Sequence, residues 1–183
     1  AIQRAINPEQ IIIGKNYNCK KKTIKTLENF IKKFSKNIKY MSYKSSELSK
    51  IAINLYLSSS ITYTNAMAEL CEKIGASWSE IEEILRKDKR IGAHAYLKPG
   101  LGILSGNLQR DIVISEKLFK KTNSKSDFVS SIKRNSDKRK NWILDIINNE
   151  KIKKEETIGV FGSTYKENIS TLKNSPLINI VKK

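Results

Sequence analysis

The chain has 183 residues, 39% of them hydrophobic and 29% charged, which is enough for one ordinary domain with a packed core. Its two cysteines, Cys19 and Cys71, exclude a disulfide scaffold or a zinc site, and no run of 18 apolar residues predicts a membrane span. A reduced, cytoplasmic setting is therefore expected, with no metal site. The sequence opens on Ala in mid-pattern, so we expect it to be part of a longer product.

The net charge has two explanations. The 35 Lys and Arg residues against 18 Asp and Glu residues give +17, which fits either a nucleic-acid or membrane partner or a composition that places Lys on every solvated face. Basic residues are spread along the whole chain and interleave with apolar positions at helical spacing, as around residues 20–31. This spread favours the second explanation, so neither a nucleic acid nor a membrane is expected as partner.

The first 42 residues predict a strand, a helix and a second strand. Residues 10–14 form a short apolar run that ends in glycine, residues 16–36 carry apolar side chains at helical spacing, and residues 37–42 offer another strand. This order is typical of a βαβ unit. Such a unit cannot stand alone, because a parallel sheet needs cover on both faces.

Residues 45–74 give the strongest helix prediction in the chain. One apolar stripe includes Leu48, Leu55, Tyr63 and Leu70, and the opposite side is apolar too, which indicates a helix buried between partners. Thirty residues at about 1.5 Å each span roughly 45 Å, longer than the core of a domain of this size. We therefore expect part of this helix to pack on another domain or subunit, as in a homodimer.

The remaining elements are mostly helical. Gly75 should end the long helix, and the capping box at residues 77–80 should open a helix that runs to about residue 87. Further helices are predicted over 107–121 and 126–149, and a strand over 157–161. The expected fold class is mainly α with short flanking strands.

A glycine-punctuated loop precedes the predicted helix at 107–121. It contains Tyr-Leu-Lys-Pro-Gly-Leu-Gly at residues 96–102 and continues through Ser105, Gly106 and Asn107. A loop of this kind that runs into a helix gathers backbone N–H groups and a side chain at one point. That point should be Asn107, with Asp111 one turn later on the same face.

Five segments, in matching order, resemble the nucleotide-sugar 6-dehydrogenases, the UDP-glucose/GDP-mannose dehydrogenase family. The family loop reads roughly Pro-Gly-x-Gly-x-Gly-Gly-Ser-Cys-x-x-Lys-Asp, and its helix Ser-Ala-Glu-x-x-Lys-x-x-x-Asn is similar to residues 46–54. The other three segments are residues 1–14, 88–92 and 165–176. The resemblance identifies the chain as a divergent member that covers the central part only.

The resemblance implies three domains. Residues 1–43 would end an N-terminal NAD-binding α/β domain, 44–150 would form a central helical dimerisation and substrate domain, and 151–183 would open a C-terminal nucleotide-sugar-binding α/β domain. The sequence contains no Gly-x-Gly-x-x-Gly fingerprint, so the NAD site is expected mostly outside this chain. Arg110, at the family's lysine position, is the one candidate contact with that cofactor.

The resemblance also implies a reaction and its residues. The family oxidises a sugar C6 alcohol to a carboxylate in two NAD-dependent steps, through a thioester on the cysteine, and supplies polysaccharide precursors. Lys50 and Asn54 would hold an oxyanion or a water, and Asp111 would orient that water or assist proton transfer. Candidate substrate contacts are Arg90, Tyr96, Leu97, Gly100, Gly102, Lys166 and Lys173.

Each catalytic candidate also has a plainer explanation. Lys50 fits a solvated helix lysine, Asn54 a helix–helix hydrogen bond, and Asp111 a favourable carboxylate in the first turn of a helix. His94, the sole histidine, either lies exposed in a one-residue insertion or faces a substrate phosphate together with Arg90.

Asn107 is the main departure from the family, because it stands where the nucleophilic cysteine would be. An amide is not a nucleophile, and asparagine at this place is typical of a helix cap. Leu104 and Ser105 also replace two loop glycines, and Lys173 replaces an arginine. Three functions stay open: a divergent dehydrogenase with a two-electron, four-electron or lost activity, a non-catalytic dimerisation module, and a basic nucleic-acid-binding helical protein.

Overall fold

The computed structural model describes residues 6–16, 18–150, 152–153, 155–162, 164, 172 and 175–181. The chain divides into two compact units, residues 1–53 and residues 54–183. The described residues are mainly helical with two short strands, which confirms the expected mainly α fold class.

The first unit contains the predicted βαβ order. Strand β1 (Ile11–Lys15) and strand β2 (Ile38–Ser42) pair in parallel, from Ile11 opposite Ile38 to Lys15 opposite Ser42, and helix α1 (Lys21–Ile31) connects them. The helix is shorter than the predicted 16–36. It begins only at Lys21, after a turn in which the Cys19 N–H donates to the Asn16 carbonyl oxygen at 3.1 Å.

Helix α2 (Tyr43–Ile74) follows β2 directly and ends at Gly75, whose φ of +75° favours glycine. Its buried face differs from the predicted apolar stripe. The buried residues are Asn54, Ser58, Thr64, Asn65, Ala68 and Cys71, whereas Leu48, Tyr63 and Leu70 are exposed. The neighbouring segments supply hydrogen-bond partners to the polar side, which local periodicity does not reveal. Much of the predicted apolar stripe is left exposed, and its packing on another domain or subunit stays a prediction.

Short helices complete the second unit. They are α3 (Trp78–Lys87), α4 (Gly106–Lys121), α5 (Asp127–Arg139), α6 (Trp142–Asn149) and α7 (Pro176–Val181). One buried apolar cluster contains Ala68, Cys71, Trp78 and Leu97. A second contains Ile103, Ile112, Val129 and Ile132. The long loop between α3 and α4 therefore contributes one residue to each cluster.

Three local predictions need correction. The helix predicted over 126–149 breaks after Arg139, which lets the guanidinium carbon of Arg139 lie 4.4 Å from the Trp142 ring centroid. Residues 157–161 are described but form no strand; a strand needs a partner, and the described strands pair only with each other. Ser77 does precede α3, but its hydroxyl bonds to that of Ser79 rather than to the helix backbone.

Two further features bear on function. No helix built from the described residues has the length and apolarity to cross a bilayer. The same residues contain no group of three or more His, Cys, Asp or Glu side chains placed to hold a metal ion.

Candidate functional site

Residues 96–105, here called the glycine loop, are fastened to the middle of α2. The Thr64 hydroxyl donates to the Tyr96 carbonyl oxygen at 2.9 Å, and the Asn65 side-chain oxygen accepts from the Gly100 N–H at 2.7 Å. Both helix side chains are buried. Their polarity in mid-helix therefore has a purpose, which is to supply hydrogen-bond partners to backbone groups of the loop.

Helices α3 and α5 fasten the same loop from other positions. The Trp78 indole N–H donates to the Leu97 carbonyl oxygen at 3.0 Å. From α5, the Ser136 hydroxyl accepts from the Ile103 N–H at 2.8 Å, and Arg139 Nε donates to the Gly100 carbonyl oxygen at 3.2 Å. Three helices thus determine where the loop backbone lies.

Gly102 allows the loop to approach α5 closely. Its φ is +81°, and a Cβ atom there would lie 2.5 Å from the Ser136 carbonyl oxygen. Only glycine fits both conditions without strain. At the end of the loop, the Gln109 side-chain amide donates to the Ile103 carbonyl oxygen at 2.7 Å, which ties the loop to the first turn of α4.

A buried polar pair joins α2 to α4. Asn54 Nδ2 donates to Asp111 Oδ2 at 2.5 Å, and both residues are less than 5% exposed. Arg110 Nε donates to the other carboxylate oxygen of Asp111 at 2.8 Å, and the Arg110 side chain is 60% exposed. The helix–helix hydrogen bond expected for Asn54 is present. Asp111 lies beyond the first turn of α4, so the first-turn explanation for it was wrong.

Asn107 is the second residue of α4 and is exposed. The helix begins at Gly106, so Ser105 occupies the cap position, and its side chain makes no cap hydrogen bond. The prediction that Asn107 caps the helix was wrong because helical geometry starts one residue earlier. Its side chain instead lies at the N-terminal end of a helix, where the helix dipole favours negative charge.

Lys50 lies on α2 one turn before Asn54, and its side chain is exposed. Within the first unit it lines a cleft of about 420 Å³. The other lining residues are Gln10, Ile12, Ser46, Glu47, Ser49 and Ile53. The cleft that Lys50 lines therefore lies between β1 and the first turns of α2.

The segment before the glycine loop is polar and accessible. Arg90 makes a two-point contact with the Asp88 carboxylate, at 3.0 Å from Nε and 2.6 Å from Nη2, and its side chain is 89% exposed. Hydrogen bonds from Arg90 hold the pKa of Asp88 below its ordinary value, and Asp88 raises the pKa of Arg90. His94 is exposed, in agreement with the first of its two explanations.

The remaining candidates divide by burial. Tyr96 is exposed, whereas the Leu97 side chain is 3% exposed and packs with Cys71 and Trp78. A substrate contact by Leu97 would have to come from its backbone. Lys166 and Lys173 lie outside the described residues.

The sequence interpretation missed the residues that hold the loop: Asn65, Gln109, Ser136 and Arg139. On α5 a detectable pattern existed. Val129 and Ile132 start a stripe whose next two positions, Ser136 and Arg139, are polar yet still buried. A helical stripe that turns from apolar to polar indicates a face that changes from a packed core to backbone hydrogen bonding.

Comparisons with known proteins agree with the loop and the helical core. Residues 44–137 match the model of the UDP-glucose/GDP-mannose dehydrogenase family, central domain. The chain is 28% identical to a UDP-glucose 6-dehydrogenase of Rickettsia bellii, covering 100% of this chain and 42% of that protein. It is 25% identical to one from Bacillus subtilis, covering 99% and 39% respectively.

A solved structure has the same fold. That of a UDP-D-ManNAc dehydrogenase from Pyrococcus horikoshii superposes with a TM-score of 0.78 at 21% identity, and the match covers 99% of this chain and 42% of that one. The chain therefore spans about two-fifths of the length of the relatives that it matches.

Proposed function

The chain belongs to the UDP-glucose/GDP-mannose dehydrogenase family, and from this premise we propose that it forms the sugar-facing part of a nucleotide-sugar dehydrogenase. The complete protein would be cytoplasmic and would oxidise a sugar C6 alcohol with NAD to supply polysaccharide precursors. The glycine loop carries the proposal: three helices fix its backbone, and it runs directly into α4 with Asn107 and Asp111.

We assign the chain to three domains of the complete protein. Residues 1–43 would end the NAD-binding domain, 44–150 would form the central domain, and 151–183 would begin the nucleotide-sugar-binding domain. The residues present do not fit a complete dinucleotide site, because β1 ends at Lys15 and the sequence contains no Gly-x-Gly-x-x-Gly fingerprint. NAD would then be held largely by other parts of the protein, with the exposed Arg110 as the contact from this chain.

In this proposal the nucleotide sugar is bound by loop backbone and by exposed cations. The backbone at Gly100 and Gly102 and the Tyr96 side chain would contact the sugar, with Leu97 contributing backbone only. Arg90, Lys166 and Lys173 would meet the phosphates. Arg90 supports this role because its guanidinium is charged and 89% exposed.

The catalytic assignment differs from that of relatives with a cysteine. Oxidation of an alcohol to an aldehyde removes the hydroxyl proton and a hydride from the carbon, which NAD would accept, and it needs no nucleophile. In the proposal Lys50, Asn54 and Asp111 would hold the oxygen or a water for that step. Oxidation of the aldehyde through a thioester needs a thiol, and Asn107 has none. We therefore propose that the reaction stops at the aldehyde.

The test is to offer UDP- and GDP-sugars to the full-length gene product and to measure both NADH and the oxidation state of the sugar product. One NADH per sugar with an aldehyde product is expected. The variant Asn107→Cys should allow the carboxylate to form, whereas the matched Asn107→Ala should behave like the unaltered protein. Carboxylate formation by the unaltered protein would refute the role given to Asn107.

A second candidate, a non-catalytic dimerisation module, is supported by the exposed side of α2. Tyr56, Tyr63, Leu70 and Ile74 are each between 46% and 69% exposed, although the helix buries polar residues elsewhere. An apolar helix face of this kind fits a homodimer through residues 45–74. The test is the molecular mass in solution. A dimer that becomes a monomer on Tyr63→Lys, in a protein that turns over no sugar, would favour this candidate over the enzyme.

A further inference from the structure

Arg139, the last residue of α5, is a buried charge that reaches three different groups. The residue is 6% exposed. Its Nε donates to the Gly100 carbonyl oxygen at 3.2 Å, its Nη2 lies 3.6 Å from a Glu72 carboxylate oxygen, and its guanidinium stacks on Trp142. A buried cation persists only where such contacts offset the loss of its hydration.

Glu72 and Trp142 make the other two contacts of this guanidinium. The Trp142 indole N–H donates to Glu72 Oε2 at 2.9 Å, while the other oxygen of Glu72 faces Arg139. Arg139 is thus held between the last turns of α2, the first residue of α6 and the glycine loop. One turn earlier on α5, Ser136 holds the loop at Ile103, so the two α5 contacts lie on either side of Gly102.

Packing alone does not explain an arginine at this place. Its Nη1 atom is buried and has no hydrogen-bond partner among the described residues. An apolar residue of similar size would avoid that desolvation penalty, and replacing a buried charge in this way is often neutral or stabilising. Lysine would keep the charge but has a single nitrogen, which cannot reach the Gly100 carbonyl and the Glu72 carboxylate with the fixed geometry of a guanidinium.

We propose that Arg139 is a positioning residue for the glycine loop. It acts through the Gly100 carbonyl oxygen, and Glu72 and Trp142 fix its own position. The consequence for ligand binding rests on the function proposed above, since Gly100 and Gly102 would contact the nucleotide sugar. The consequence for the loop does not depend on that function.

The experiment compares Arg139→Lys with Arg134→Lys in the full-length protein. Arg134 is an exposed arginine on the same helix, which makes it a matched control. Amide hydrogen exchange is measured in residues 96–105 and, as a reference, in residues 54–74. Arg139→Lys should speed exchange of the loop by about tenfold, as expected for loss of one charge-assisted hydrogen bond, and leave the reference helix unchanged.

The second measurement is the steady-state kinetics of oxidation of the UDP- or GDP-sugar that the unaltered full-length protein turns over fastest. Arg139→Lys should raise KM by about tenfold while kcat stays within a factor of about two, because a loosened loop weakens ground-state and transition-state binding alike. Arg134→Lys should change neither constant. A protein that was merely destabilised would instead show faster exchange in the reference helix as well.

The outcomes are separable. Unchanged loop exchange in Arg139→Lys would overturn the proposal, whatever happens to KM. If the unaltered protein oxidises and binds no nucleotide sugar, the proposed function fails, yet selective loosening of the loop still supports the role of Arg139. Should Arg139→Lys not fold, Glu72→Gln is the second variant, because it removes the negative charge next to the guanidinium. Exchange of the loop amides must then rise by about threefold for the proposal to stand.

Discussion

The two units of this chain are held together in different ways. In the described part of residues 6–53 no residue is fully buried, and the isoleucines of β1 are only half-buried. Residues 54–183 contain two buried apolar clusters and nearly all of the polar bonds that fix the glycine loop. The first unit takes its geometry from backbone pairing, since a two-stranded parallel pair cannot exclude water by itself.

A similar contrast exists inside the second unit. Apolar burial positions the helices and two side chains of the loop, Leu97 and Ile103, whereas hydrogen bonds from side chains position the backbone of the glycine loop. Apolar contacts are non-directional, whereas a hydrogen bond weakens when its distance or angle departs from the preferred values. Side-chain hydrogen bonds therefore fix the direction of individual backbone groups in the loop, which apolar packing alone does not.

The largest expected effect tests the contrast between the units. Ile132→Ala, in the second cluster at 3% exposure, should lower the free energy of unfolding of its unit by about 3 kcal/mol. Ile12→Ala, at a half-buried strand position, should cost about 1 kcal/mol. Urea titration followed by fluorescence and by circular dichroism measures both. Equal costs at the two sites would remove the distinction between a unit with a core and one without.

A smaller effect tests whether polar bonds position the loop. Gly102→Ala should cost about 2 kcal/mol, because its Cβ would strike the Ser136 carbonyl oxygen and its φ is positive. Gly75→Ala has a similar φ but open space around the Cβ, so a cost of about 1 kcal/mol is expected there. Thermal unfolding of both variants separates steric conflict from backbone strain. Identical costs would mean that the close approach to α5 does not matter.

The buried pair should be sensitive to loss of charge. Asp111→Asn keeps the shape of the side chain but removes the charge of the carboxylate whose oxygens accept from Asn54 and Arg110. We therefore expect the free energy of unfolding to fall by about 1–2 kcal/mol. The control, Asp137→Asn, alters an exposed carboxylate that pairs with Lys140 and should cost less than about 0.5 kcal/mol. Chemical denaturation gives both values. A neutral Asp111→Asn would show that the α2–α4 link does not depend on charge.

The smallest effect is a pH dependence of the contact between α2 and α5. Hydrogen bonding to Lys73, helped by the charge of Lys138, holds the pKa of Glu69 below its ordinary value, and burial opposes this. Because the pKa is lower in the folded protein, the stabilisation is complete above the ordinary glutamate pKa of about 4.3 and is lost as pH falls through the folded-state pKa.

Glu69→Gln should therefore reduce stability at neutral pH by less than about 1 kcal/mol and flatten the decline between about pH 5 and pH 3. Glu83→Gln is the control, since Glu83 and its partner Lys87 are both largely exposed. Melting temperatures across that pH range give the comparison. A Glu69→Gln protein whose acid decline matches that of the unaltered protein would contradict the assignment.

Much of the fold could be predicted because it depends on local sequence patterns. The βαβ order, the long helix ending at Gly75 and the helix after the glycine loop all follow from periodicity and from glycine. The break between Arg139 and Trp142 could not be predicted, because both sides of it are good helical sequence. The break exists where Arg139 and Trp142 meet Glu72, about 70 residues away in sequence.

The candidate site divides in the same way. The sequence alone predicts where the glycine loop lies in the chain and that it runs into α4. It also shows that position 107 carries no thiol. The Asn54–Asp111 bond and the fastening of Gly100 by Asn65 and Arg139 join residues 35 to 57 positions apart. Only the tertiary structure decides such contacts, because whether a polar side chain is buried depends on which distant partner can satisfy it. Periodicity records the apolar face of a helix, and it carries no information about that partner.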